Sequence, residues 1–156
     1  MGVMIRKATH EDIPAIHALV RELAEYERGL SKVTTTPESY LKDYREGIFE
    51  AFVADKEGQV VGIALYFPAF STWRGKMLYL EDFVVKESER GTGIGAKLFD
   101  AFMEEAKSQK VVLVKWQVLD WNEPAINFYK KYDVVFDDEW VDCKIYLDPL
   151  PPEGGY

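Results

Sequence analysis

The chain has little of what several classes of protein depend on. Cys143 is its only cysteine, so it can build neither an intrachain disulfide nor a cysteine-rich metal site, and no metal is expected. His10 and His17 are the only histidines, and no local pattern joins either of them to Cys143 as a nucleophile and its base. No apolar run approaches the length of a membrane span, and Met1-Gly2-Val3-Met4-Ile5-Arg6 lacks a signal-peptide pattern. A cytoplasmic protein without a membrane partner is therefore expected. Positive charge is also scarce: 27 acidic residues face 19 basic ones, for a net charge of −8. A nucleic-acid surface needs the opposite excess, so no nucleic-acid partner is expected, whereas an acidic field favours a cationic small molecule.

What is present suits one folded domain. The 156 residues are 47% hydrophobic and 14% aromatic, enough for a real core, which is expected over residues 1–148. The Pro- and Gly-rich stretch 149–156 departs in composition and reads as an irregular tail.

The elements follow from periodicity and punctuation. A strand is expected over 3–8, then a helix over 9–28, where Thr9-x-x-Asp12 forms a capping box and Ile13, Ile16, Val20 and Leu23 recur at helical spacing. Thr36 caps a short helix over 37–45. Strands over 49–54 and 60–67 flank the turn Lys56-Glu57-Gly58, which predicts an antiparallel hairpin; Pro68 ends the second, and a loop over 69–76 leads into a strand over 77–85. A helix over 94–108 follows, with Leu98, Phe102 and Ala106 in one apolar row and Phe99 and Met103 beside it. An apolar strand over 111–118 comes next, then a helix capped by Asn122 with Pro124 in its first turn. Alternation over 140–147 predicts a last strand in which Cys143 packs. The order β-α-α-β-β-β-α-β-α-β describes an α/β fold with a mixed, mostly antiparallel central sheet flanked by helices.

The run Glu89-Arg90-Gly91-Thr92-Gly93-Ile94-Gly95-Ala96 stands between the strand over 77–85 and a helix. Glycines let a ligand approach the backbone, and the first N–H groups of a helix have no intrahelical partner, so such a junction holds a pyrophosphate. A Walker loop is excluded, because Gly95-Ala96-Lys97-Leu98 lacks the Gly-Lys-Ser/Thr order. A dinucleotide fingerprint is satisfied loosely by Gly91-x-Gly93-x-x-Ala96 with Asp120 beyond, but the chain after Asp120 is too short for a Rossmann half. Arg90-x-x-Gly93-x-Gly95 resembles the pyrophosphate loop of the GNAT acetyltransferase superfamily, and Trp121-Asn122-Glu123-Pro124-Ala125-Ile126-Asn127-Phe128-Tyr129-Lys130 resembles its second acetyl-CoA-contacting segment.

Four further strings, Leu23-Ala24-Glu25-Tyr26-Glu27, Ser71-Thr72-Trp73-Arg74-Gly75-Lys76, Tyr79-Leu80-Glu81-Asp82-Phe83 and Val118-Leu119-Asp120-Trp121-Asn122, are similar to the diamine branch of that superfamily. That branch includes spermidine/spermine and thialysine N-acetyltransferases. The resemblance implies an acetyl-CoA-dependent N-acetyltransferase acting on a small primary amine, and a homodimer. Acetylation of a protein or peptide amine, or a non-catalytic acyl-CoA sensor, are the competing readings.

Residue roles follow from the same resemblance. Acetyl-CoA would be held by Phe83, Val84, Val85, Arg90, Gly91, Thr92, Gly93, Ile94, Gly95, Ala96, Asn122, Pro124, Ala125 and Tyr129. The amine would meet Tyr26, Glu27, Glu81, Asp82, Lys115, Trp116 and Gln117. A primary amine has a pKa of about 10 and arrives as ammonium, so Glu81, directly or through water, assists its deprotonation. Backbone N–H groups from Phe83 to Val85 would stabilise the oxyanion if that strand splays from its neighbour. Tyr129, a phenol with an ordinary pKa of about 10, would protonate the departing thiolate. Two departures stand out: Asp133 replaces a helix-ending Gly, and Lys115, Trp116 and Gln117 do not repeat the branch's usual residues. Asp138 and Glu139 add charge near Trp140.

Overall fold

Five strands of alternating apolar character line up in chain order, β1 (Val3–Lys7), β2 (Glu50–Lys56), β3 (Gln59–Ser71), β4 (Gly75–Val85) and β5 (Leu113–Lys115), in a computed structural model that describes residues 2–148. The first four pair antiparallel, and β5 joins β4 in parallel. Parallel pairing requires a crossover, which is supplied by α3 (Ile94–Ser108). Helices α1 (Ile13–Tyr26) and α2 (Pro37–Arg45) cover one face, while α3 and α4 (Glu123–Tyr129) cover the other.

Alternation along β2 explains why the sheet is buried on both sides. Ala51 and Val53 pack with Ile13, Ile16, Leu19, Phe49, Ile63, Leu65 and Val84, whereas Phe52 and Ala54 turn to the face of Leu98, Phe99 and Phe102. The apolar row of α3 is fully buried as its spacing requires, at about 1.5–3 kcal/mol for each large side chain. Gly62 makes this close approach possible. A Cβ there would lie 2.9 Å from Leu98 Cδ1 and 3.3 Å from the Val84 carbonyl oxygen.

Caps account for the helix ends. Asp12 accepts from the Thr9 N–H at 2.7 Å, forming the expected capping box, although the first turn is a 3-10 turn and α1 begins at Ile13. Arg6 holds the same Asp12 carboxylate through Nη1 and Nη2 at 2.8 and 2.9 Å, which keeps it well below the usual carboxylate range. Thr36 and Ser39 cap α2 reciprocally.

Three expectations are corrected. Pro68 does not end β3, which continues to Ser71, and β4 starts at Gly75; the expected loop over 69–76 is mostly a ladder from Ala69↔Met77 to Ser71↔Gly75. The strand over 111–118 shrinks to Leu113–Lys115, since β5 meets β4 only opposite Met77, Leu78 and Tyr79. Residues 140–147 form no strand, and Cys143 is exposed rather than packed. The alternation there is real, but a strand exists only where an edge accepts it. Asp133 is not left-handed, so the chain leaves α4 through Tyr132 N–H to the Tyr129 carbonyl at 3.0 Å and Val134 N–H to the Tyr132 carbonyl at 2.9 Å. The expected tail over 149–156 lies outside the described residues.

Candidate active site

The parallel pair stops early, and the site begins where it stops. Beyond Tyr79↔Lys115, β5 has no further partner on β4, so the edge of β4 from Leu80 to Val85 is left open on that side among the described residues. The oxyanion role of Phe83 to Val85 requires such an unpaired edge. The Lys86 N–H donates to Val61 on β3, so by strand alternation Val85 and Phe83 turn their backbone groups to the open edge. The Val85 carbonyl there accepts from Arg90 Nε at 3.0 Å, leaving the Val85 N–H for a ligand.

The glycine loop lies at the end of this edge. Gly91 and Gly93 have φ of 77° and 85°, the left-handed region that favours glycine. A Cβ built on either meets nothing within 4 Å, so the approach to the loop is open. Gly93 caps α3 without a side chain, and the first intrahelical bond runs from Lys97 N–H to the Gly93 carbonyl. The N–H groups of Ile94, Gly95 and Ala96 therefore have no partner within this 15-residue helix. Ile94 itself is buried, and Gly95 lets Phe128, Phe83 and Val85 pack at 3.6–3.8 Å from where its Cβ would be. The donor set suits a pyrophosphate: backbone N–H groups at a dipole end, with Arg90 beside them. Thr92 Oγ1 donates to the Glu89 carbonyl at 2.6 Å and shapes the loop.

Helix α4 closes the other side. Buried Asn122 accepts from the Ala125 N–H at 3.4 Å and from the Tyr26 hydroxyl at 3.4 Å, so one amide oxygen ties the end of α1 to the start of α4. Pro124 occupies its first turn. Tyr129 is buried among Trp116, Phe128, Phe99 and Phe83, with ring centroids at 5.1, 5.6, 6.2 and 6.3 Å. Burial, helped by the charge of Glu27, pushes its phenol well above the ordinary value. The expected match to a thiol is thus corrected: in this pocket Tyr129 keeps its proton more tightly than a free phenol.

The acids meet at a bulge. Leu65 faces Asp82 and Tyr66 faces Leu80, leaving Glu81 as the unmatched residue of β4. A bulge re-aims the side chain it carries. Glu81 is open to solvent as a residue, yet partial desolvation raises its carboxyl, opposed by the charge of Lys144. Asp82 is half-buried and its carboxyl is pushed up to about 7, by burial first and then by Glu81 and Glu27. Burial also raises Glu27. Coupled acids of this kind share protons, and an acid near 7 is suited to accepting one at neutral pH.

The other expected amine contacts separate. Tyr26 lies toward the glycine loop, its ring 5.8 Å from Trp121 and 5.9 Å from the Arg90 guanidinium. Trp116 packs against Tyr129 and Phe99 and forms one wall of the aromatic cluster. Lys115 is exposed at the end of β5, and Gln117 donates to Asp142 at 2.9 and 2.8 Å. Asp138 and Glu139 are exposed. His17 is buried against Thr35 at 3.0 Å and Tyr40 at 4.8 Å, a packing position. Arg28, not singled out by sequence, has a φ of 63° two residues past α1, and its guanidinium lies 4.4 Å from the Trp121 ring. Among the described residues no helix is long and apolar enough to cross a membrane.

A sheet split beside a glycine loop, with a tyrosine-bearing helix across the gap, is the layout of an acyl-CoA-dependent transferase. The chain belongs to the GNAT acetyltransferase family, whose model matches residues 15–133, and it is an N-acetyltransferase. It is 39% identical to a thialysine N-epsilon-acetyltransferase of Bos taurus over 138 residues, 82% of this chain and 81% of that one. It is 29% identical to an L-ornithine N5-acetyltransferase of Arabidopsis thaliana, over 94% of this chain and 85% of that one. The fold matches that of an aminoglycoside acetyltransferase from an uncultured soil sample, with a TM-score of 0.77 at 20% identity over 94% and 97% of the two chains.

Proposed function

We propose that this chain transfers the acetyl group of acetyl-CoA to the primary amine of a small diamine, polyamine or thialysine-like molecule, by direct attack on the thioester. The observation that carries this reading is the half-buried Asp82 at the β3–β4 bulge beside Glu81, where an ammonium would offset the burial and the charge of Glu81 and Glu27 that raise its carboxyl. The names of the relatives, which place acetylation on a side-chain nitrogen of thialysine and of ornithine, support it.

The ammonium is held by the three acids and gives up a proton to the coupled pair of Glu81 and Asp82, directly or through water. The neutral nitrogen attacks the thioester carbon, and the N–H groups of the open β4 edge meet the developing oxyanion. The C–S bond breaks, the thiolate takes a proton from Tyr129 or from water that Tyr129 orders, and the nitrogen's second proton goes back to that tyrosine or water, leaving the amide, coenzyme A as thiol and the one proton first lost from the ammonium. Acetyl-CoA, when bound, supplies the acyl group; Arg90 and the residues from Gly91 to Ala96 anchor its pyrophosphate, and the Asn122, Pro124 and Ala125 turn borders its arm. The expected homodimer belongs to the same proposal, supported by the exposed Phe70, Trp73 and Trp140, and sedimentation at twice the chain mass tests it.

Incubation with acetyl-CoA and a panel of spermidine, spermine, putrescine, thialysine, lysine, ornithine and peptides, following free thiol, tests the activity. Activity confined to peptides overturns the small-amine reading. Tight acetyl-CoA binding without turnover favours a sensor.

A further inference from the structure

Helix α1 ends on an unexpected residue for its geometry. The Gly29 N–H donates to the Ala24 carbonyl at 2.8 Å and the Arg28 N–H to the Glu25 carbonyl at 3.0 Å, the paired bonds of a Schellman motif. The residue just past the cap of that motif takes a left-handed backbone, which glycine fills at least cost. Here the φ of 63° falls on Arg28, while Gly29 beside it has a φ of −127°. Such strain persists where surrounding contacts hold it, and it points to a function for the side chain. The Arg28 guanidinium is exposed and makes no ion pair among the described residues; its partner is the Trp121 ring at 4.4 Å.

Trp121 stands immediately before Asn122, the cap of α4. The Tyr26 ring lies 5.8 Å from the same indole, and its hydroxyl donates to the Asn122 amide oxygen. Tyr26 and Arg28 thus join the end of α1 to the two residues that open α4. Both hydrogen bonds to that amide oxygen, from Tyr26 and from the Ala125 N–H, are long at 3.4 Å, so they hold the cap loosely. A cation on the neighbouring indole supplies a further point of attachment. Helix α4 has seven residues and ends at Tyr129, so the placement of its first turn carries through to that phenol. We propose that Arg28 is a positioning residue for acetyl transfer, whose guanidinium on Trp121 fixes the cap of α4 and, through that helix, the Tyr129 hydroxyl at the departing sulfur. The inference rests on the acetyl-transfer reading. Arg28 acts through Trp121 and touches neither the acetyl group nor the amine.

The test is a set of double-mutant cycles on the whole chain, read by kcat and KM for the best amine, by calorimetry with acetyl-CoA and by thermal melting. Arg28→Gly removes the side chain and puts glycine at the left-handed position, so Tm should stay within about 3 °C of the parent. Its kcat should fall about two- to fivefold, the range of an exposed cation–π contact, with amine KM and acetyl-CoA affinity kept. Arg28→Lys keeps a cation and should restore most of kcat. Trp121→Leu should reproduce the loss, and Arg28→Gly should add nothing to it. In a Tyr129→Phe background Arg28→Gly should leave the residual rate unchanged. An unchanged kcat in Arg28→Gly, or losses that multiply in either cycle, overturns the inference and leaves the proposed function intact. So does a loss confined to acetyl-CoA affinity, which would make Arg28 a phosphate contact, or a fall in Tm well beyond 3 °C, which would make it a structural cap. A parent that turns over no amine defeats the inference and the acetyl-transfer reading together.

Discussion

Replacing Asp82 by Asn separates what the acid cluster does for chemistry from what it does to the fold. The Asp82 carboxyl rises from an ordinary 3.8 to about 7 in the folded chain, chiefly through burial. The folded state therefore binds this proton more tightly than the unfolded one. Ionisation stabilises the unfolded chain as pH rises past about 4, and the folded chain begins to follow only near 7. Asp82 thus destabilises the fold progressively between these values and by a constant amount above them. At about 1.4 kcal/mol per pH unit the upper bound is about 4 kcal/mol, and sharing of protons with Glu81 and Glu27 brings a working figure to ~2–3 kcal/mol. Asn is nearly isosteric with the protonated acid and never ionises. The variant should match the parent below about pH 4 and melt higher by roughly 5–10 °C at pH 8, taking 2–4 °C per kcal/mol for a domain of this size. Turnover of the best amine should fall at least tenfold at pH 7. Melting curves by circular dichroism at several pH values between 4 and 8, with thiol release alongside, give both answers. A Tm difference independent of pH, or a variant less stable at pH 8, would refute the burial argument; unchanged turnover would remove Asp82 from proton transfer.

Gly93→Val should weaken acetyl-CoA binding by tenfold or more, because a β-branched residue resists the left-handed φ and fills the space above the loop; calorimetry on the folded variant checks this, and Arg90→Ala should be milder since the backbone donors remain. Tyr129→Phe should lower turnover by about 10- to 1000-fold with cofactor affinity kept. Because burial raises this phenol, the parent should show no falling limb from Tyr129 up to about pH 10, the ordinary phenol value, and a limb below that pH that disappears in the variant would contradict the pocket described here. Gly62→Ala should cost ~1–3 kcal/mol by forcing Leu98 off the sheet, and urea melts showing no loss would mean that α3 yields more easily than its packing implies.

Much of this protein could be read before any coordinates. Apolar spacing and caps placed α2 and α3 to the residue and α1 to within about a turn, since one buried stripe is a local property of a helix. The turn before α3 was legible too, because Gly91 and Gly93 take the left-handed φ that glycine favours. Strand ends were not legible. Pro68 reads as a stop, yet its ladder neighbours Phe67 and Ala69 pair with Tyr79 and Met77, and whether a prolyl nitrogen is missed depends on which edge it faces. The alternation of residues 140–147 promises a strand, but pairing is decided by a partner edge elsewhere in the chain, and β5 ends at Lys115.

The same division runs through the site. Which residue types are available for acetyl transfer is written in Glu81, Asp82 and Tyr129. That Glu81 is the unmatched residue of a bulge depends on register between β3 and β4, and that the Asp82 carboxyl is pushed up to about 7 depends first on its burial, then on Glu81 and on Glu27 just past the end of α1. That Tyr129 holds its proton tightly depends on four aromatic rings from β4, α3, α4 and the chain after β5. Local sequence determines backbone geometry and chemical identity. Burial and charge coupling act between segments far apart in the chain, so only the tertiary structure sets the strength of each acid.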